Sequence, residues 1–186
     1  FIFSIIYIIN MTSPISTSSY MNKIQLNDEM NVLKRNGSLE TVSFDKILQR
    51  MKRIGKEAEL KLNYTTLAMK VIDQLYDGIS TTRIDELSAE QCASLSSTHP
   101  DYNILGGRII ISNHQKNTEK TFCDVMSRLY NFKDYHDNNY SLISEDLNNV
   151  VNEHSQEIED MICHDRDYLI DYFGFKTLER SYLMKI

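Results

Sequence analysis

Proline and glycine are scarce, two and six in 186 residues. These are the strongest breakers of regular structure, so their shortage favours a mainly helical chain. Cysteine is also sparse. Cys92, Cys123 and Cys163 are odd in number, far apart and without Cys-x-x-Cys spacing, which argues against a disulfide framework or a zinc site and fits a reducing compartment. Basic charge is in deficit: 20 Lys and Arg against 26 Asp and Glu give a formal net charge of −6. A general nucleic-acid or anionic-membrane surface is therefore not expected, although local cationic pockets remain compatible with an acidic total. No hydrophobic run is long. Phe1 to Asn10 is apolar but far shorter than the roughly 20 residues that a bilayer requires. It has no basic leading region and no small-residue cleavage site, so it does not read as a secretory signal. Met11 follows directly, which suggests translated upstream sequence and a start at Met11 or Met21. Thr12 to Tyr20, rich in Ser and Thr, reads as a disordered lead-in.

What is present suits one or two small globular domains, with 41% hydrophobic and 25% charged residues. The chain is organised around Asn31 to Lys46. Two short runs able to extend flank Asn36-Gly37, a strong hairpin signal because both central residues of a type I′ turn need positive φ. The second run enters a helix: Ser43 is the expected N-cap, Asp45 lies in the first turn, and Phe44, Ile47, Leu48, Met51 and Ile54 recur at helical spacing. Lys34-Arg35 on such a hairpin, beside a helix N-terminus, would place two cations and free backbone N–H groups together, a sensible phosphate cradle.

Four further helices are expected in the first two thirds. One runs from about Thr65 to Tyr76, with Ala68, Val71, Ile72 and Leu75 on one face and Gly78 as its stop. Ser80-Thr81-Thr82 offers N-caps for the next, which carries Ile84, Leu87, Cys92 and Leu95 and ends before His99-Pro100. The third of these, the fourth of the chain, starts at Pro100-Asp101 and is apolar nearly all round (Ile104, Leu105, Ile109, Ile110, Ile111), so it should be the buried central one. Gly106-Gly107 within it costs roughly 1 kcal/mol per glycine relative to alanine, a penalty that close approach of a neighbour would explain. Another amphipathic helix covers about Lys120 to Tyr130. Asp134 to Asn139 is loop-like and a candidate boundary; short helices follow around Ser144 to Val151 and Ile158 to Cys163, then an aromatic tail. The five histidines show no metal-ligand spacing and read as surface or loop residues. Tyr168, Tyr172, Phe173 and Phe175 read as core rather than as a stacking platform for nucleic acid.

Several separated stretches carry a resemblance. Val32-Leu33-Lys34-Arg35-Asn36-Gly37 with Glu40-Thr41-Val42-Ser43-Phe44-Asp45-Lys46-Ile47 resembles the opening of the ATP-cone, the nucleotide-sensing module of ribonucleotide reductase large subunits. Met69 to Ile72 and Leu75 to Thr81 are similar to the second helix and following turn of the eukaryotic and viral class I form; Thr98-His99-Pro100-Asp101-Tyr102 resembles its fourth. Tyr172-Phe173-Gly174-Phe175-Lys176-Thr177-Leu178-Glu179-Arg180-Ser181-Tyr182-Leu183 looks like the start of the catalytic region. The fold implied is mainly α with a small N-terminal β-hairpin: an ATP-cone over residues 31–120, after a leader of residues 1–30, and a helical start of the catalytic region over 121–186.

The resemblance implies an allosteric pocket for ATP or dATP, which Mg2+ can accompany. Lys34 and Arg35, with Glu40, Thr41, Val42, Ser43, Phe44, Asp45 and Lys46, would wrap the nucleotide. Thr81 and Asp85, one helical turn apart, would reach base or ribose, and Lys116 the triphosphate. Each has a plainer alternative. Lys34, Arg35 and Lys46 can be solvated charges, Thr81 an N-cap, Asp85 a first-turn acid and Lys116 a helix C-terminal cation. Asn36 replaces the family's usual Asp, and Gly106-Gly107 its alanines. No catalytic residue is expected, because none of the three cysteines matches the family's catalytic ones, and no metal-binding residue, because neither cysteines nor histidines show ligand spacing. The implied partners are the nucleotide, other large subunits and the radical-bearing small subunit, in the cytoplasm and without nucleic acid or membrane. A stand-alone, non-enzymatic nucleotide sensor is the alternative.

Overall fold

A computed structural model describes residues 30–183; the expectations for Phe1 to Asn10, Met11, Met21 and Thr12 to Tyr20 lie outside them. Two compact units are present, residues 30–113 with 170–176, and residues 114–169 with 177–183.

The first unit opens with the expected hairpin. β1 (Asn31–Leu33) pairs antiparallel with β2 (Leu39–Thr41), Val32 facing Glu40. The connection is not a type I′ turn. Gly37 N donates to Lys34 O at 2.9 Å and Lys34 N to Ser38 O at 2.8 Å, and Gly37 alone in the loop has positive φ, +82°. This is a turn centred on Arg35-Asn36 followed by a left-handed glycine bulge. Asn36 stays out of the left-handed region and its Oδ1 accepts from Ser38 N at 3.1 Å and Ser38 Oγ at 2.7 Å, which satisfies the loop locally. A third strand, β3 (Ile79–Ser80), pairs parallel with the other edge of β1 to give the order β2-β1-β3.

Ser43 caps α1 (Phe44–Glu57) as expected, its Oγ accepting from Lys46 N at 3.3 Å, and α1 buries Ile47, Met51 and Ile54. Phe44, by contrast, is exposed. α2 (Tyr64–Ile72) ends earlier than the periodicity predicts. Asp77 Oδ1 accepts from Asn31 N and Gly78 N donates to Asn31 O, both at 2.8 Å, so the sheet draws residues 73–78 out of the helix. The cap of α3 (Thr81–Ser94) is Ser80, whose side chain accepts from Arg83 N; Thr81 is the first helical residue. α1 packs on α2 and α2 on α3. Their buried side chains, among them Met51, Leu67, Val71 and Leu87, each contribute roughly 1.5–3 kcal/mol by leaving water.

α4 (Pro100–Asn117) buries Leu105, Ile109, Ile110 and Ile111 while Ile104 faces solvent. Its glycines occupy the close approaches the sequence called for. A Cβ at Gly106 would stand 3.0 Å from Cys92 Cβ, and one at Gly107 would stand 2.9 Å from Ile170 O and 3.0 Å from Asp171 Cα. Asn103 Nδ2 donates to Asp171 Oδ2 at 3.0 Å, fastening the same segment to α4. Gly107→Ala is therefore expected to destabilise the protein by about 1–3 kcal/mol, because overpacking against backbone outweighs the roughly 1 kcal/mol that alanine gains in a helix. A higher melting temperature in the variant would contradict this.

In the second unit, Thr121 caps α5 (Phe122–Tyr130) and Ser144 caps α6 (Glu145–Glu153), followed by α7 (Ser155–Met161). Val125, Met126, Leu129 and Val151 form its core. α7 lies a few residues earlier than the Ile158 to Cys163 expected, and a 3-10 helix covers His164–Leu169. α8 (Tyr172–Ser181) runs from the first unit's residues into the second's. Of the four tail aromatics, Phe175 is buried, Tyr168 and Tyr172 are half-buried, and Phe173 is exposed, so only part of that stretch is core.

Candidate functional site

Two polar clusters sit on the hairpin and the helices behind it. The first joins β1's end, β2 and α1. Lys34 Nζ lies 2.9 Å from Glu40 Oε2, and Lys46 Nζ pairs with Glu40 Oε1. Two ammonium groups thus share one carboxylate beside the capped N-terminus of α1. The hydrogen bonds from Lys46 and then Lys34 hold the Glu40 carboxyl at about 2. All three side chains are open to water, so the contacts add little to stability. A carbon-13 NMR titration should find Glu40 ionised down to about pH 2, and Lys46→Ala should raise that midpoint. An unchanged midpoint would contradict the assignment. Because the value is lowered in the folded chain, whatever stabilisation the pair gives is present above the ordinary carboxylate value and fades as pH falls towards 2.

The second cluster is deeper. Asp85, only 6% exposed on α3, receives Arg50 from α1: Nε donates to Oδ1 at 2.8 Å and Nη2 to Oδ2 at 2.9 Å. Arg50 Nη2 also reaches Ser112 Oγ at 3.3 Å. From the hairpin turn, Arg35 Nη2 donates to Asp85 Oδ2 at 3.4 Å and to Asn113 Oδ1 at 2.5 Å. Asn113 Nδ2 in turn donates to Thr82 O at 3.4 Å. The turn, α1 and α3 therefore meet at one carboxylate, and α4 accepts from both of its guanidiniums through Ser112 and Asn113.

Of the sequence-predicted residues, the structure groups Lys34, Glu40 and Lys46 in one cluster, and Arg35 and Asp85 in the other. Ser43 is occupied as a helix cap, and Asp45 Oδ1 accepts from Gln49 along the same helix. Thr41 pairs with Asn31 in the ladder, and Val42 N donates to Met30 O at 2.8 Å. Thr81 lies one turn before Asp85 on α3. Lys116 is exposed on the last turn of α4 and belongs to the other compact unit. Arg50, Ser112 and Asn113 were not singled out in the sequence. Nothing in the helical periodicity distinguishes Arg50 from a solvated surface arginine, and Asn113 follows directly on the apolar run of α4.

The remaining candidate chemistry is inert or elsewhere. Burial pushes the Cys92 thiol up to about 12, so it packs as a small apolar residue. His114, expected at the surface, is buried, and burial lowers it to about 4 despite Glu179 and Asp167 nearby. Among the described residues no group of three or more His, Cys, Asp or Glu could hold a metal ion. None of the described helices is long and apolar enough to cross a membrane.

Residues 30–117 match the ATP cone domain family. The chain is 42% identical over 160 residues to the ribonucleoside-diphosphate reductase large subunits of Monkeypox virus and of Danio rerio, covering 84% of this chain and 21% and 20% of theirs. To the large chain of Neurospora crassa it is 42% identical over 159 residues, again 84% of this chain but 17% of that one. A basic hairpin, a three-stranded sheet and the helices behind it, matched over these residues, define an ATP-cone domain. Over 84% of its length the chain is similar to ribonucleoside-diphosphate reductase large subunits. It spans about a fifth of the length of the curated relatives it matches.

Proposed function

We propose that this chain is a regulatory part of a ribonucleoside-diphosphate reductase large subunit and that its cone binds ATP or dATP as an effector of overall activity. The observation that carries this is the convergence of Lys34 and Lys46 on Glu40 beside the N-terminus of α1. Two exposed ammonium groups on one carboxylate leave a positive balance, and an incoming triphosphate offers them more charge than Glu40 does. Helix N–H groups and the Arg35 guanidinium supply further donors of the kind that phosphate oxygens accept. Mg2+ would arrive with the triphosphate, since it prefers phosphate oxygens and water to all-protein cages. The family resemblance adds Thr41 to Asp45, Thr81, Asp85 and Lys116 to the contact set.

The cone would span residues 31–120, and residues 121–186 would begin the catalytic region. Ribonucleotide reduction would fall to parts of the large subunit other than these, with further large subunits and the small subunit as partners in the cytoplasm. Control by ATP and dATP requires that the two stabilise different assemblies unequally, because equal binding shifts nothing.

Titration calorimetry on the full chain tests the reading. ATP should bind saturably, and Lys34→Ala should weaken it about tenfold or more, as expected for one charge-assisted hydrogen bond worth about 1.5–3 kcal/mol. Equal affinity in chain and variant would remove the hairpin from the site.

A further inference from the structure

The deeper cluster holds two guanidiniums on one buried carboxylate, and the two are not equivalent. Arg50 grips Asp85 with both nitrogens, at 2.8 and 2.9 Å, from a helix whose neighbouring Met51 is buried. Arg35 reaches the same carboxylate at only 3.4 Å, and its closer contact is the neutral amide oxygen of Asn113. Arg35 is also the more open of the two, 31% exposed against 18% for Arg50. A forked pair at short distance is the strong, geometrically fixed form of this interaction, whereas a contact at 3.4 Å contributes much less.

We propose that Arg50 is a positioning residue for the effector site: by satisfying Asp85 on its own, it leaves the Arg35 guanidinium available to move from Asp85 to the triphosphate. This rests on the reading of the cone as an ATP site and adds a residue to it. Without Arg50, Asp85 would remain buried with Arg35 as its nearest cation. The guanidinium would then be pinned, since leaving would strand an unpaired buried charge. Arg50 thus acts through Arg35 and need not touch the nucleotide.

A double-mutant cycle on the full chain, titrated with ATP, tests this. In the unaltered chain, Arg35→Ala should weaken ATP about tenfold. Arg50→Gln alone should weaken it similarly, and adding Arg35→Ala to Arg50→Gln should cost less than about twofold more. Arg50→Lys, which keeps a cation without the fork, should lie between, and it decides the matter if the glutamine variant does not fold. If Arg35→Ala costs the same factor with Arg50 present or replaced, Arg50 is a structural residue only and the assignment is overturned. Absence of ATP binding by the unaltered chain would instead overturn the reading of the site, and this inference with it.

Discussion

Asp85→Ala is expected to lower stability by about 3 kcal/mol, seen as a reduced urea midpoint, because it leaves the largely buried Arg50 guanidinium with no counter-charge. The arginine is largely buried and holds both carboxylate oxygens, so water cannot fully replace what is lost. Arg35→Ala should cost less, about 1–2 kcal/mol, since its ion pair with Asp85 is the longer one and the main loss is its hydrogen bond to Asn113 Oδ1. The contrast between the two variants is the informative part. If both cost the same, the distances do not report how the charge is held, and the argument for a releasable Arg35 loses its basis.

Acidification should produce a loss of similar size through His114. Burial holds the folded imidazole at about 4, below the ordinary value of 6.5, with Glu179 and Asp167 opposing the shift. Between those values the unfolded chain binds the proton and the folded chain does not, so stability rises with pH across the window and falls as the solution is acidified through it. The contribution is on the order of 3 kcal/mol, fully present above about pH 6.5 and gone below about pH 4. Carboxylates also titrate near the acidic end, so the measurement is the difference between the chain and His114→Gln, followed by urea denaturation from pH 7 to 4. The variant should show a flatter profile. Parallel profiles would mean that His114 is open to solvent in the folded protein.

Local signals were the legible ones. Ser43 as a cap, the apolar spacing of α1, the Pro100 start of α4 and the small residues at Gly106 and Gly107 all lie within a few residues of the structure they specify. What the sequence concealed depends on distant partners. The Asn36-Gly37 pair suggested a type I′ turn, yet the Asn36 side chain satisfies Ser38 from an ordinary conformation and leaves the left-handed position to Gly37 alone. β3 is two residues long and exists because β1 offers an open edge; the same edge pulls Asp77 and Gly78 away from α2, which therefore stops short of Tyr76. His114 looked like a surface residue because a single histidine carries no helical pattern, but it continues the buried stretch of α4.

The site followed the same division. Lys34, Arg35, Glu40 and Lys46 were readable as a motif, because hairpin and helix start are contiguous in sequence. Arg50 and Asn113 were not, since only the folded chain brings Arg50 to Asp85 and Asn113 to Arg35. A polar network assembled from four elements has no sequence period to betray it.

Amide hydrogen exchange of the full chain with and without saturating ATP tests the central claim most directly. Slower exchange in residues 31–46 and around Asp85 and Asn113, with Lys34→Ala needing about tenfold more ATP for the same protection, is the expected result. ATP-dependent protection confined to segments away from the hairpin, or none at millimolar ATP, would contradict it.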